Sequence, residues 1–266
     1  MINYREGKSR YKINDLGSLY IDKRKVSSNE QPIIYIGGQM EHRGHLIEQS
    51  GYTTDVNHNR YTGSWMYEYS LSSSNKKDIN AKNFSENLLA ALEVAKLRDV
   101  ILLTHSHGGL IGAYASKSEL IDKVISVHPP VLGTPLANPS YIGEYRELLT
   151  KTQRLILALT KQIVNSEYGF EQDNFMGVDL SKVDLNKLLV VGNYLDIDLE
   201  KNKLLLETYR IIERVLGMRS DGIVTFEPTE FEKLGINYIQ TNENKNHFES
   251  ISPIYFENIL KKVLSK

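Results

Sequence analysis

"LLTHSHGGL", residues 102–110, lies in the middle of a 266-residue chain. It completes an apolar run that begins at Val100 and Ile101, breaks it with Thr104-His105-Ser106-His107-Gly108-Gly109, and turns apolar again at Leu110 and Ile111. The run "DVILLT" has the length and the β-branched and leucine content of a strand buried on both faces. "GGLIGAYASKS", residues 108–118, reads as a helix. Strand, sharp turn of small residues, then helix is the context of a nucleophile elbow. A serine at such a turn projects beyond the C-terminal end of its strand, where open α/β sheets carry their sites. The helix behind it aims its first N–H groups and the positive end of its dipole at the same place. A junction with an idle serine looks the same over so few residues, so the rest of the chain has to decide.

Outward from this stretch, strand and helix patterns alternate. Strand candidates are "GSLYIDKR", "PIIYI", "KVISVH", "KLLVVGNYL" and "INYIQT". Residues 83–97 read as a helix, with Phe84, Leu88, Leu92 and Ala95 on one stripe and Asn83 with Glu86 resembling a capping box. Residues 141–164 carry Leu148, Leu155, Leu159 and Ile163 at helical spacing, and residues 201–216 and 255–264 also look helical. The polar, aromatic stretch after Gly37-Gly38-Gln39 reads as loops, with "SLSSSNKKDIN" the most loop-like part. Apolar strands alternating with helices predict an α/β fold with a mostly parallel central sheet flanked by helices. The expectation is a single domain over 1–266, with a helical cap or lid inserted at 135–187 because that span exceeds an ordinary crossover.

Composition removes several classes of function. Lysine and arginine number 32 against 33 aspartates and glutamates, a formal net charge of −1, which argues against a polyanionic partner such as nucleic acid. There is no cysteine, which excludes disulfides, thiolate nucleophiles and cysteine metal sites. No apolar run approaches the ~18 residues that span a bilayer. The polar start "MINYREGKSRYKIND" has no signal core, so the expectation is a cytoplasmic protein, with secretion still open.

If Ser106 is a nucleophile it needs a base, and the base needs a carboxylate to hold its tautomer. Only one histidine follows His128: His247, in a polar loop after "INYIQT". Before it, "RSDGIV" sets Asp221 in an Asp-Gly turn, which is also where a plain turn aspartate would sit. Asp196, Asp198 and Glu249 are weaker candidates for the acid. An oxyanion would need two N–H donors. One falls to His107, after the serine, and the other to the "YIGGQM" loop, where Gln39 or Gly38 could serve.

Four stretches together resemble the bacterial lipase and esterase side of the α/β-hydrolase superfamily. "HSHGGL" resembles the lipase elbow, "VHPPVLGTPLANP" the segment after the next strand, "SDGIV" the turn carrying the acid, and "NHFES" the segment carrying the base. The resemblance implies Ser106 as nucleophile, Asp221 as acid and His247 as base, with Gln39, His107 and Gly38 at the oxyanion hole. It also implies a serine hydrolase acting on small-molecule or lipid carboxylic esters through an acyl-enzyme, with no cofactor and no metal. Acyl transfer to another acceptor, thioester or amide cleavage, and a non-catalytic binding module are the alternatives on the same fold. Two departures stand out: Thr104 replaces the first elbow glycine, and Gly37-Gly38 replaces the usual His-Gly.

The remaining histidines read more plainly. His42, His45 and His58 form no firm metal pattern. The side chains of His105 and His107 should point away from the serine, and His128 reads as structural or pocket-lining. Trp65, Tyr67 and Tyr69 either line an acyl pocket or pack in the core.

Overall fold

The computed structural model describes residues 8–22, 31–38, 65–69, 80–134, 177–195, 205–210, 212–213, 217–243, 245–251 and 253–264. Among the described residues, eight strands form one sheet: β1 (Lys8–Tyr11), β2 (Gly17–Asp22), β3 (Ile33–Ile36), β4 (Trp65–Tyr69), β5 (Val100–His105), β6 (Ile121–Val127), β7 (Leu188–Gly192) and β8 (Asn237–Gln240). Their spatial order is β1-β2-β4-β3-β5-β6-β7-β8. The β1–β2 and β2–β4 pairings are antiparallel, and every pairing from β4 through β3 to β8 is parallel. The helices are α1 (Ala81–Ala95), α2 (His107–Ala115), α3 (Leu206–Arg210), α4 (Pro228–Lys233) and α5 (Pro253–Leu264).

The continuous apolar runs of the central strands follow from burial on both faces. Side chains alternate between faces at a period of two. Ile34, Ile36, Leu102, Val124 and Val190 join the cluster under α1 and α2. Their neighbours Tyr35, Ile101, Leu103, Ile125 and Val191 join Tyr255, Phe256, Ile259 and Leu260 of α5 on the opposite face. All six residues of β5 are buried. This places β5 at the centre of a helix–sheet–helix sandwich, with its C-terminal end, Ser106, at the middle of one sheet edge.

Helix α1 begins earlier than its sequence pattern suggests. The capping box is Asn80 with Asn83: the Asn80 side chain accepts from Asn83 N at 3.2 Å, and the Asn83 side chain accepts from Asn80 N at 2.9 Å. Asn83 thus acts at the third helical position rather than as the cap. Its short amide reaches back as a Glu or Gln would. Phe84, Leu88 and Leu92 are buried as the stripe requires.

The two strands that the sequence pattern did not single out are β1 and β4. In β4, Tyr67 and Tyr69 are fully buried, and the Tyr67 hydroxyl donates to Asn87 Oδ1 at 2.7 Å and lies 3.1 Å from Phe84 O. Burial pushes the Tyr67 phenol far above its ordinary range. These aromatics pack in the core. A strand built from half-polar rings inside a polar neighbourhood carries no simple alternation of hydropathy, so its burial is set by what packs on it.

Residues 135–176, where most of the expected cap falls, lie outside the described residues, as do the helical pattern at 141–164 and the loop at 70–79. The end of that span, from Gly177, packs on the main body: Val178 N donates to Val131 O at 2.8 Å, and a 3₁₀ turn at Leu180–Lys182 leads towards β7. Of the helix expected at 201–216, α3 is the described regular part. No helix among the described residues is long and apolar enough to cross a membrane.

Candidate active site

The elbow is shaped by close approach. Ser106 has φ 51° and ψ −127°, a conformation that costs a non-glycine residue of order 1–3 kcal/mol and persists only where its surroundings impose it. Those surroundings are tight. A Cβ on Gly108 would lie 2.4 Å from Ile36 O and 2.6 Å from Gly37 O, so α2 meets the end of β3 backbone to backbone. A Cβ on Gly109 would lie 2.3 Å from Ser126 Oγ and 2.4 Å from Pro129. Ser106 N donates to Val127 O at 3.0 Å and Gly109 N to Ser106 O at 2.8 Å. The serine is therefore clamped between β3 and β6.

Thr104, the departure from the glycine pattern, is accommodated by Gly112. A Cβ there would lie 2.9 Å from Thr104 Cγ2, so the missing side chain on the helix makes room for the extra one on the strand. The Thr104 hydroxyl lies 2.7 Å from Ser126 Oγ, and both residues are fully buried. The pair satisfies two hydroxyls that would otherwise be stranded in the core.

Asp221 sits in a turn closed by Asp221 N to Val224 O at 3.1 Å, with Ser220 bridged to Thr225. Its Oδ1 accepts from Ile223 N at 2.9 Å and Val224 N at 2.8 Å. Its Oδ2 accepts from His247 Nδ1 at 2.6 Å and from His128 Nδ1 at 2.5 Å. The carboxyl is wholly buried, which by itself would push its pKa up. The two imidazoles and their hydrogen bonds outweigh that cost and hold it far below the ordinary carboxylate range.

His247 completes the line. Its backbone N donates to Asp221 O at 3.0 Å, and its Nε2 lies 2.9 Å from Ser106 Oγ. With Nδ1 donating to a carboxylate, Nε2 is left as an acceptor facing the Ser106 hydroxyl. The loop that carries it is fastened at several points. Asn246 Oδ1 accepts from Phe248 N and Glu249 N, each at 2.9 Å, and Asn193 Nδ2 donates to Lys245 O at 2.9 Å. The His247 carbonyl accepts from Ser250 Oγ at 2.8 Å and from His105 Nε2 at 3.1 Å.

Of the residues singled out from the sequence, Ser106, Asp221 and His247 are thus joined by hydrogen bonds, although 141 positions separate the serine from the histidine. His107 opens α2 and sends its ring to Tyr69, Nδ1 to Oη 3.1 Å. Gly38 is buried after β3. Gln39, Asp196, Asp198, His42, His45 and His58 lie outside the described residues. Glu249 accepts from Asn246 N at 3.0 Å and so caps the loop that carries His247. The His107 ring is bonded to Tyr69, and the His105 ring grips the loop that bears His247 through its carbonyl. His128 is the residue the sequence undersold, because its place on Asp221 depends on a contact across 93 positions that no local pattern encodes.

His128, Asp221 and His247 offer three potential metal ligands within 4.8 Å of one another. The spacing is that of hydrogen bonds, however. Two ligand atoms on one tetrahedral ion lie about 3.3 Å apart, whereas both imidazoles lie 2.5–2.6 Å from the same carboxylate oxygen. That separation is the one a proton shared between each pair gives.

No family model matches the chain, and no curated protein matches it in sequence. Solved structures do. The mature form of a lipase from Bacillus licheniformis superposes with a TM-score of 0.51 at 15% identity, covering 90% of this chain and 92% of its own. A serine hydrolase from the polyaromatic-hydrocarbon-degrading bacterium Cycloclasticus zankles superposes with a TM-score of 0.51 at 11% identity, covering 97% and 98%. Together with the strand order and the strand–elbow–helix geometry, these likenesses show an α/β-hydrolase fold.

Proposed function

We propose that the protein is a serine hydrolase that cleaves carboxylic esters through an acyl-enzyme. The observation that carries the proposal is the unbroken line Ser106 Oγ, His247 Nε2, His247 Nδ1, Asp221 Oδ2, with links of 2.9 and 2.6 Å, at the C-terminal end of the central strand. In this reading Ser106 attacks the ester carbonyl as His247 takes its proton. The imidazolium that forms faces the Asp221 carboxylate, which is already ionised and positioned. His247 then gives the proton to the leaving alkoxide, and water repeats the sequence on the acyl-enzyme. The oxyanion is met by the His107 N–H at the start of α2 and by the loop after β3, from Gln39 or Gly38. Support for that pairing is the contact of Gly108 with the carbonyls of Ile36 and Gly37, which brings this loop beside the elbow. Small-molecule or lipid esters are the proposed substrates, and the part of the insertion before Gly177, with its apolar stripe, is proposed as a cap over the rim; residues 184–187 pack instead against Ser116, Ser118 and Ile121 at the opposite end of the sheet.

The test is direct. The parent hydrolyses p-nitrophenyl esters and reacts with a fluorophosphonate probe at Ser106. Ser106→Ala loses about six orders of magnitude in kcat and all labelling, with its fold and melting temperature kept. A Ser106→Ala protein that hydrolyses the esters as fast as the parent refutes the assignment.

A further inference from the structure

A triad carboxylate needs to serve one histidine. Here a single oxygen, Asp221 Oδ2, serves two, with His128 Nδ1 at 2.5 Å and His247 Nδ1 at 2.6 Å. His128 is buried at 3% exposure, and its other nitrogen, Nε2, has no hydrogen-bond partner among the described residues. Its backbone is in the left-handed region at φ 48°, immediately after β6, the strand beside the one that ends in Ser106. A strained backbone and a ring nitrogen with no partner among the described residues are two costs at one residue. Against them stands the hydrogen bond to Asp221.

Resting on the triad reading above, we propose that His128 is a positioning residue that shares Asp221 with the base and restrains how strongly His247 holds a proton. The chemistry is simple. A carboxylate oxygen that accepts one N–H bond from His128 has less negative charge to offer the imidazolium that forms on His247. The bond also fixes Oδ2 in rotation, as the Ile223 and Val224 N–H groups fix Oδ1. Removing the His128 donor leaves the full charge to His247, which then captures a proton at higher pH and is lost as a base sooner on acidification.

The other groups around this cluster come from β5, from α5 and from the loop that carries His247. From β5, the His105 ring lies 4.9 Å from that of His247, and its Nε2 is bound to the His247 carbonyl. From α5, the Tyr255 ring lies 6.5 Å from that of His128. Its hydroxyl lies 3.0 Å from Thr241 Oγ1, and burial, with smaller contributions from Glu243 and Asp221, pushes it up to about 12, so it remains neutral throughout the working range. Glu249 is committed to Asn246 N in the loop of the base. Asp221 is thus the carboxylate in contact with both rings, and the division of its charge is between them.

The experiment compares two substitutions at one position. Asn carries an amide nitrogen where His carries Nδ1, tolerates φ above zero, and does not titrate. Leu removes the donor. For p-nitrophenyl acetate, the acidic limb of kcat/KM in His128→Leu moves to higher pH by about half a unit, and His128→Asn returns it to the parent position. A role in packing alone would lower the plateau or the melting temperature of both variants and leave the limb in place, and that result overturns the proposal. A second readout covers failure of His128→Leu to fold. The parent shows two far-downfield imidazole N–H resonances by proton NMR, and His128→Asn shows one. A single such resonance in the parent also overturns the proposal. The resonances require no turnover. If Ser106→Ala kept full activity, the hydrolase reading would fall, and the resonance count would still decide whether Asp221 is shared.

Discussion

The elbow and the acid–base cluster meet at Ser106 Oγ, yet they are built in different ways. The elbow is a short local segment held by volume: Gly108 against the carbonyls of β3, Gly109 against Ser126 and Pro129, and Gly112 against Thr104. The cluster is assembled from His128, Asp221 and His247, and it is held by charge on one carboxylate. Packing contacts act over fractions of an ångström and tolerate no added atom. Hydrogen bonds to a buried carboxylate tolerate a change of shape better than a loss of charge. The elbow should therefore break on enlargement, and the cluster on neutralisation.

The largest effect that separates the two is expected from Asp221→Asn, which changes almost no volume. An amide presents either the wrong donor or a weaker acceptor to His247, and kcat falls by about four orders of magnitude, as measured by ester turnover. The same variant tests stability. The Asp221 pKa is depressed in the folded protein, so its contribution is present above the unfolded value of about 4 and is lost as pH falls through and below it. Acid unfolding of the parent between about pH 5 and pH 2, followed by circular dichroism, should be steeper than that of Asp221→Asn. Equal pH dependence would mean that the carboxyl is not held ionised by the fold.

Gly108→Val probes the other region without touching a charge. Its Cβ would fall 2.4 Å from a backbone oxygen, so α2 must move away from β3. Probe labelling of Ser106 should slow by about a hundredfold, because a displaced helix start misplaces both the serine and the oxyanion donor. Normal labelling would show that the elbow is not held by this contact. Thr104→Val is expected to give the smallest effect. It keeps the branched volume that Gly112 accommodates but strands Ser126 Oγ, which costs about 1–3 kcal/mol in chemical denaturation and leaves kcat within a few-fold of the parent.

How far the sequence could be read follows the same division. β5, α2, β6 and β7 were legible because burial on both faces writes a continuous apolar run, and the turn between β5 and α2 required small residues beside Ser106. Asp221 and His247 could be nominated from their turn chemistry and chain order, and the structure brings both to Ser106. In sequence β4 resembles a loop because Tyr67 and Tyr69 bury rings whose hydroxyls disguise them. The start of α1 was displaced because two asparagines cap each other. From sequence, His128 reads as structural or pocket-lining because nothing near it in the chain names a carboxylate.

By themselves, the residues determined the strand–elbow–helix unit and the order of the three polar side chains, since both are properties of neighbours along the backbone. Folding alone decided that Thr104 could replace a glycine, by setting Gly112 opposite it, and that one carboxylate oxygen would serve two imidazoles. Those outcomes rest on side chains meeting across the sheet edge, and such meetings are set by how layers stack rather than by any periodicity along a strand or helix.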